Sequence, residues 1–82
     1  MRLFISNLNR LTTTSQIIAL LLPYGLVKSA RLIIAKNSYS EGTALVEMEF
    51  DAGVSAIEEL DNLRFMNCFI KVEETFDAII SR

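Results

Sequence analysis

The chain has 82 residues, 51% of them hydrophobic and 22% charged, with a net charge of −2. This length suffices for one small domain with one core, and the composition excludes a disordered chain. With no histidine and one cysteine, the sequence excludes Ser-His-Asp and Cys-His catalytic systems and zinc sites of Cys and His. The net negative charge predicts no general attraction to nucleic acid or anionic lipid, so any such binding requires a local patch.

No segment is predicted to cross a membrane or to direct secretion. The longest apolar run, residues 17–24, is far shorter than the roughly 20 residues of a transmembrane helix. Polar residues also interrupt the apolar stretch at the N-terminus, which excludes a secretory signal. A single cysteine forms no internal disulfide, in keeping with a reducing compartment. We therefore expect a cytoplasmic protein, and the methionine directly before the first predicted strand favours a complete small protein.

The first part of the chain carries the signals for strand, helix and strand. Residues 3–6 are β-prone and are followed by an asparagine-rich turn. Thr13 and Gln16 have the spacing of a capping box, and apolar residues recur at helical spacing over 17–24. A proline and a glycine then end the helix. Residues 27–34 are predicted to form the second strand.

The second part predicts a hairpin, a helix and a last strand. Residues 35–41 are polar and too few for a crossover helix, so they are predicted to join two antiparallel strands. Residues 43–50 alternate between apolar and other side chains, which indicates a half-buried third strand. Asp51 is expected to cap a second helix with apolar residues every three positions over 54–60. Residues 70–73 alternate again and predict the fourth strand.

The order strand, helix, strand, strand, helix, strand is that of the split βαβ arrangement. Right-handed crossovers then place the first and third strands in the centre of a four-stranded antiparallel sheet, with both helices on one face. The sequence therefore predicts an α+β fold, the ferredoxin-like βαββαβ sandwich. The other face of the sheet is expected to be open.

The domain is expected to span residues 1–74, with residues 75–82 as a C-terminal tail. Phe76, Ile79 and Ile80 stand at the spacing of a short amphipathic helix. So short a helix is not stable alone in water. We expect the tail to dock over Phe4 and Leu45 on the open face, or on that of a second copy.

Strand alternation assigns one set of side chains to the open face. One aromatic and two apolar side chains lie in its middle, flanked by Arg31 and Lys71. Such a face fits a stacking platform for unpaired bases and, equally, a protein-binding patch. The set comprises Phe4, Ser6, Arg31, Ile33, Thr43, Leu45, Glu47, Lys71 and Glu73.

Two motifs on the central strands resemble those of RNA recognition motif domains. Residues 3–8 (LFISNL) match the hexapeptide of the family's first strand, and residues 41–48 (EGTALVEM) stand where its third-strand octapeptide is expected. The octapeptide positions that serve the turn and the core are kept as Gly42, Ala44 and Val46. Its leading basic residue and its two stacking aromatics are replaced by Glu41, Thr43 and Leu45. The resemblance covers about residues 2–74.

The resemblance implies weak binding of single-stranded RNA through the sheet face. Phe4 matches the aromatic residue that stacks on a base, while Thr43 and Leu45 occupy the two other platform positions. Asn7 matches the family's asparagine at the strand end, which we interpret first as structural and second as a ligand contact. Basic contacts to phosphate are expected from Arg31 and Lys71, with Tyr39 assisting from the hairpin loop. No enzymatic activity, cofactor or metal is expected.

Two alternatives remain open at this point. The first is a protein-interaction or homodimerisation domain on the same fold. The acidic composition and the surplus of surface hydrophobic residues favour it. Its contact residues would be Ile33, Leu45, Phe76, Ile79 and Ile80. The second is a small-ligand regulatory domain or an acyl-phosphate hydrolase on the same topology. It is disfavoured because the sequence has no glycine-rich anion loop with a paired arginine and asparagine.

Overall fold

The computed structural model describes residues 1–34 and 40–76 as a sheet packed against two helices. The elements are β1 (Arg2–Ser6), α1 (Thr14–Leu21), β2 (Val27–Ile34), β3 (Ser40–Met48), α2 (Phe50–Leu60), β4 (Arg64–Phe65), β5 (Cys68–Phe69) and β6 (Lys71–Thr75). The strands pair antiparallel in the order β2-β3-β1-β6, and β4 and β5 form a separate hairpin. The predicted fold class and the central position of the first and third long strands are confirmed.

Helix α1 begins at the predicted capping box. Thr13 Oγ1 accepts a hydrogen bond from the Gln16 backbone N–H at 3.2 Å, and Gln16 Oε1 accepts one from the Thr13 backbone N–H at 2.8 Å. These reciprocal bonds satisfy two of the donors that a helix start leaves unpaired. A 3₁₀ turn over Leu22–Tyr24 follows the helix, as expected where proline prevents its continuation.

The core lies between the helices and one face of the sheet. Strand residues of one parity are buried there against the inner faces of α1 and α2, in a single cluster. Because side chains alternate along a strand, the other parity of β1, β2, β3 and β6 is left on the open face. The buried hydrophobic residues among those described are Leu3, Ile5, Leu8, Ile17, Leu21, Ala44, Val46, Met48, Ala56, Leu60, Ile70 and Val72.

The predicted end of the third strand and the cap of the second helix are wrong. Strand β3 ends at Met48, where its pairing with Val27 also ends, and α2 begins at Phe50. Glu49, not Asp51, is the N-cap residue, and Asp51 lies in the first turn. Phe50 is therefore 63% exposed instead of buried beneath the sheet. In the sequence, the alternation of apolar residues runs on to Phe50, two residues past Met48, which is the last residue of β3 with a strand partner.

The hairpin of β4 and β5 was not predicted. It has a two-residue turn in which Met66 and Asn67 adopt positive φ angles of 51° and 65°. Such angles are typical of type I′ hairpin turns, but methionine in the first position is a poor sequence signal for one.

Strand β6 extends to Thr75. Within the described part of the chain, no helix is long and apolar enough to span a membrane.

Candidate functional site

The open face of the sheet is organised in rows that cross the strands. Phe4 is the Cα partner of Leu45 on β3 and of Glu73 on β6, and Leu45 is in turn the partner of Arg31 on β2. Directly opposed side chains on one sheet face lie about 4.5–5.5 Å apart at Cβ. The sheet therefore brings four of the predicted open-face residues into one central row: Arg31, Leu45, Phe4 and Glu73.

Phe4 is the one aromatic residue on the open face of the four-stranded sheet formed by β1, β2, β3 and β6. It is half-buried, as are its neighbour Leu45 and the apolar Ile33 on β2. Thr43 shares this face, but its hydroxyl oxygen is buried and has no hydrogen-bond partner within residues 1–34 and 40–76. The open face therefore has one aromatic ring surrounded by apolar side chains, and the hydroxyl group of Thr43 is not accessible to a ligand.

The charges of the open face nearly balance. Arg31 and Lys71 are exposed, as predicted, while Glu47 and Glu73 lie on the same face. The sequence interpretation missed Arg2, which is exposed and is the Cα partner of both Glu47 and Thr75. Arg2 lies two residues before Phe4 and therefore on the same face of β1, and this alternation could have identified it. With three cations and two carboxylates among its described residues, the face exerts only a modest attraction on a polyanion.

Lys71 lies on the edge strand β6 and forms a long, exposed ion pair with Asp61. Its Nζ lies 3.7 Å from Asp61 Oδ1, and its side chain is 52% exposed. The same carboxylate oxygen accepts the Val72 backbone N–H at 3.0 Å, which fixes the start of β6. An exposed ion pair of this length contributes little to stability. Asp61 therefore positions the strand while the ammonium group of Lys71 remains accessible.

Asn7 performs a structural task at the end of β1. Its backbone has a φ of 59°, and its side-chain Nδ2 donates to the Phe69 carbonyl at 2.8 Å. Beside it, the Leu8 backbone N–H donates to the Gly42 carbonyl at 2.9 Å. Asn7 thus connects the central strand to the hairpin of β4 and β5.

A second ion pair joins Lys28 on the edge strand β2 to Glu49. Lys28 Nζ is 2.8 Å from Glu49 Oε2, and both side chains are largely exposed. The hydrogen bond and the attraction between the two charges raise the pKa of Lys28 and lower the pKa of Glu49. The pair joins the first half of β2 to the N-cap of α2.

Three of the predicted site residues lie outside the described residues: Tyr39, Ile79 and Ile80. Phe76, which directly follows β6, is 84% exposed. Among residues 1–34 and 40–76, no group of three or more Cys, Asp or Glu side chains is placed to hold a metal ion.

Comparison with known proteins agrees with this architecture. Residues 3–71 match the model of the RNA recognition motif. A crystal structure described as RNA binding protein PG1 is 34% identical, with a TM-score of 0.90 over 95% of this chain and 96% of that chain. The RRM3 domain of Gbp2, solved by NMR, is 30% identical, with a TM-score of 0.79 over 87% of this chain and 71% of that chain.

The structure of the Rna15 RRM with bound RNA (GU) has a TM-score of 0.83 over 93% of this chain and 83% of that chain. At 19% identity this likeness concerns the fold alone. A search of curated proteins found no match. The family match extends from the first core residue of β1 to the start of β6 and includes both central strands, so this chain belongs to the RNA recognition motif family.

Proposed function

We propose that this chain binds single-stranded RNA weakly through the open face of its sheet. The observation that carries the proposal is the position of Phe4, an accessible aromatic ring in the central row of that face, with Arg31 in the same row. Aromatic side chains stack on unpaired bases, and arginine contacts phosphate or stacks on a base itself. The match of residues 3–71 to the RNA recognition motif, and the 34% identity to a protein described as RNA binding protein PG1, support a ligand of this class.

The affinity is expected to be low for two reasons. Each base–aromatic stack contributes about 1–3 kcal/mol, and the platform positions at Thr43 and Leu45 carry no ring. In addition, Glu73 lies directly opposite Phe4 and repels a phosphate backbone. Both the missing rings and the added carboxylate lower the expected affinity for RNA.

The salt dependence of binding is expected to be shallow. Three open-face cations, Arg2, Arg31 and Lys71, are available for phosphate contacts. If each neutralises one phosphate, the slope of log K against log salt for a single strand is about −2. A much steeper slope would mean that RNA is held mainly by charges elsewhere.

The test is a titration of Phe4→Ala with a mixed-sequence single-stranded octanucleotide at low salt, followed by fluorescence anisotropy. Losing one stacked base should weaken binding by about 5- to 150-fold. Phe50→Ala is the matched control, because Phe50 is an exposed phenylalanine on the helical side of the domain. Equal affinity of Phe4→Ala and wild type, with both folded by amide NMR, would place the RNA off the sheet.

A second candidate function is self-association or protein binding through the same face. The observation in its favour is Phe76, which lies 84% exposed at the end of β6 and next to a face that also carries Ile33 and Leu45. Sedimentation over a range of concentrations tests it. A sedimentation coefficient that rises with concentration in wild type and stays constant in Phe76→Ala would favour this function.

A further inference from the structure

The hairpin of β4 and β5 presents an exposed aromatic ring beside a cation. Phe69 is 61% exposed, and its Cα partner across the hairpin is Arg64, which is also exposed. Partners in an antiparallel pair project from the same face. Arg64 donates from Nη2 to Asn67 Oδ1 at 3.0 Å, which orients the guanidinium group and leaves it further donors for a ligand.

The hairpin is anchored to the central strand by side chains from the loop after β1. Asn7 donates to the Phe69 carbonyl at 2.8 Å, and Asn9 donates from Nδ2 to the Met66 carbonyl at 3.0 Å. The two-residue turn keeps the strands short and tightly joined. Phe69 is therefore held at a defined place relative to β1, although its ring is not part of the core.

The strand direction links Phe69 to the open face. Exposure alternates from residue 69 to residue 73, with Ile70 and Val72 buried and the residues between and beside them exposed. Phe69 consequently shares its parity with Lys71 and Glu73 on the open side. Because Glu73 is the partner of Phe4, the Cα of Phe69 lies about 13 Å from the central row along the chain, at 3.3 Å per residue.

We propose that Phe69 is a second stacking position for an unpaired base of the RNA bound at Phe4, with Arg64 and Lys71 contacting the phosphates on either side of that base. This inference rests on the proposed RNA binding and adds a subsite to it. A nucleotide presents a flat π-face and an adjacent negative charge. The exposed Phe69 ring, with Arg64 opposite it and Lys71 two residues further along the chain, complements both features. The subsite supplies part of the stacking surface that Thr43 and Leu45 do not provide.

The separation of the two rings makes the proposal dependent on RNA length. Stacked nucleotides advance by about 3.4 Å each, so a dinucleotide bound at Phe4 does not reach Phe69. A hexanucleotide spans about 17 Å even when it is fully stacked, which exceeds the distance between the rings. Phe69 should therefore matter for the longer ligand only.

The experiment compares the affinities of wild type, Phe69→Ala and Phe4→Ala for a mixed-sequence RNA dinucleotide and hexanucleotide. Phe69→Ala should bind the hexanucleotide about 5- to 150-fold more weakly and the dinucleotide as wild type does. Phe69→Tyr, which keeps a ring, should retain the wild-type affinity. Phe50→Ala is the control, since Phe50 is 63% exposed and so closely matches Phe69.

The outcomes separate this inference from the proposal on which it rests. Loss of affinity in Phe4→Ala together with unchanged hexanucleotide binding in Phe69→Ala overturns the subsite alone. Absence of binding in wild type overturns both. An equal loss for both ligands in Phe69→Ala also overturns the subsite, because it indicates a general disturbance of the fold. Salt titrations add a second readout: Arg64→Ala should make the slope for the hexanucleotide shallower by about 0.7.

Discussion

Restoring one missing ring should strengthen RNA binding. Leu45 occupies a stacking position of the family's octapeptide, and it lies on β3 directly opposite Phe4. In Leu45→Phe the two rings would stand as cross-strand neighbours, within the 4.5–7 Å between ring centres at which aromatic pairs interact. The added platform contributes about 1–3 kcal/mol, which corresponds to about 5- to 150-fold tighter binding.

The substitution should not disturb the fold. Leu45 is half-buried on the open side of the sheet, whereas the core lies on the opposite side. The larger ring therefore projects towards solvent and does not overpack the core. Phenylalanine also favours strands. We expect the urea midpoint of Leu45→Phe to lie close to that of wild type.

The assay is a fluorescence anisotropy titration with the same octanucleotide at two salt concentrations. The gain should be equal at both, because the substitution changes no charge and releases no additional counterion. Leu45→Ile is the control, since it keeps an apolar side chain at the same position without a ring. If Leu45→Phe folds normally and binds RNA no better than Leu45→Ile, stacking on the central row is not how this domain holds RNA.

Two further predictions concern stability and titration. Gly42 has a φ of 75°, and a Cβ there would lie 2.7 Å from the Leu8 carbonyl oxygen, so Gly42→Ala should lower the free energy of unfolding by about 2 kcal/mol or more. Urea denaturation measures this; Gly53→Ala, whose methyl meets only the flexible N-terminal methionine side chain, should cost less, and equal losses would contradict the strain argument. Glu49 has its pKa lowered by Lys28, so the stabilisation from this pair is present above the ordinary glutamate pKa and is lost as the pH falls through the lowered value. An NMR titration of the Glu49 carboxyl should show its midpoint rising in Lys28→Ala, and an unchanged midpoint would rule out the pair in solution.

Much of the candidate site could be predicted because strand alternation is a local property. Phe4 was assigned to the open face from the apolar partners on either side of it, and the ladder with Leu45 and Glu73 agrees. Arg2 was missed because the first strand was predicted to begin one residue later. Phe69 was missed because the fourth strand was predicted to begin at residue 70, and the hairpin of β4 and β5 that contains Phe69 was not predicted.

The sequence by itself determined the order of the two helices and the four long strands, the face that each long strand buries and the start of the first helix. These features follow from side-chain periodicity and from hydrogen bonds between residues close in the chain, such as those of Thr13 and Gln16. Only the tertiary structure decided where β3 ends, because a strand extends as far as it has a partner. It also decided that Asn7, far away in sequence, anchors the hairpin carrying Phe69, since such a contact between distant segments leaves no periodic signal in either of them.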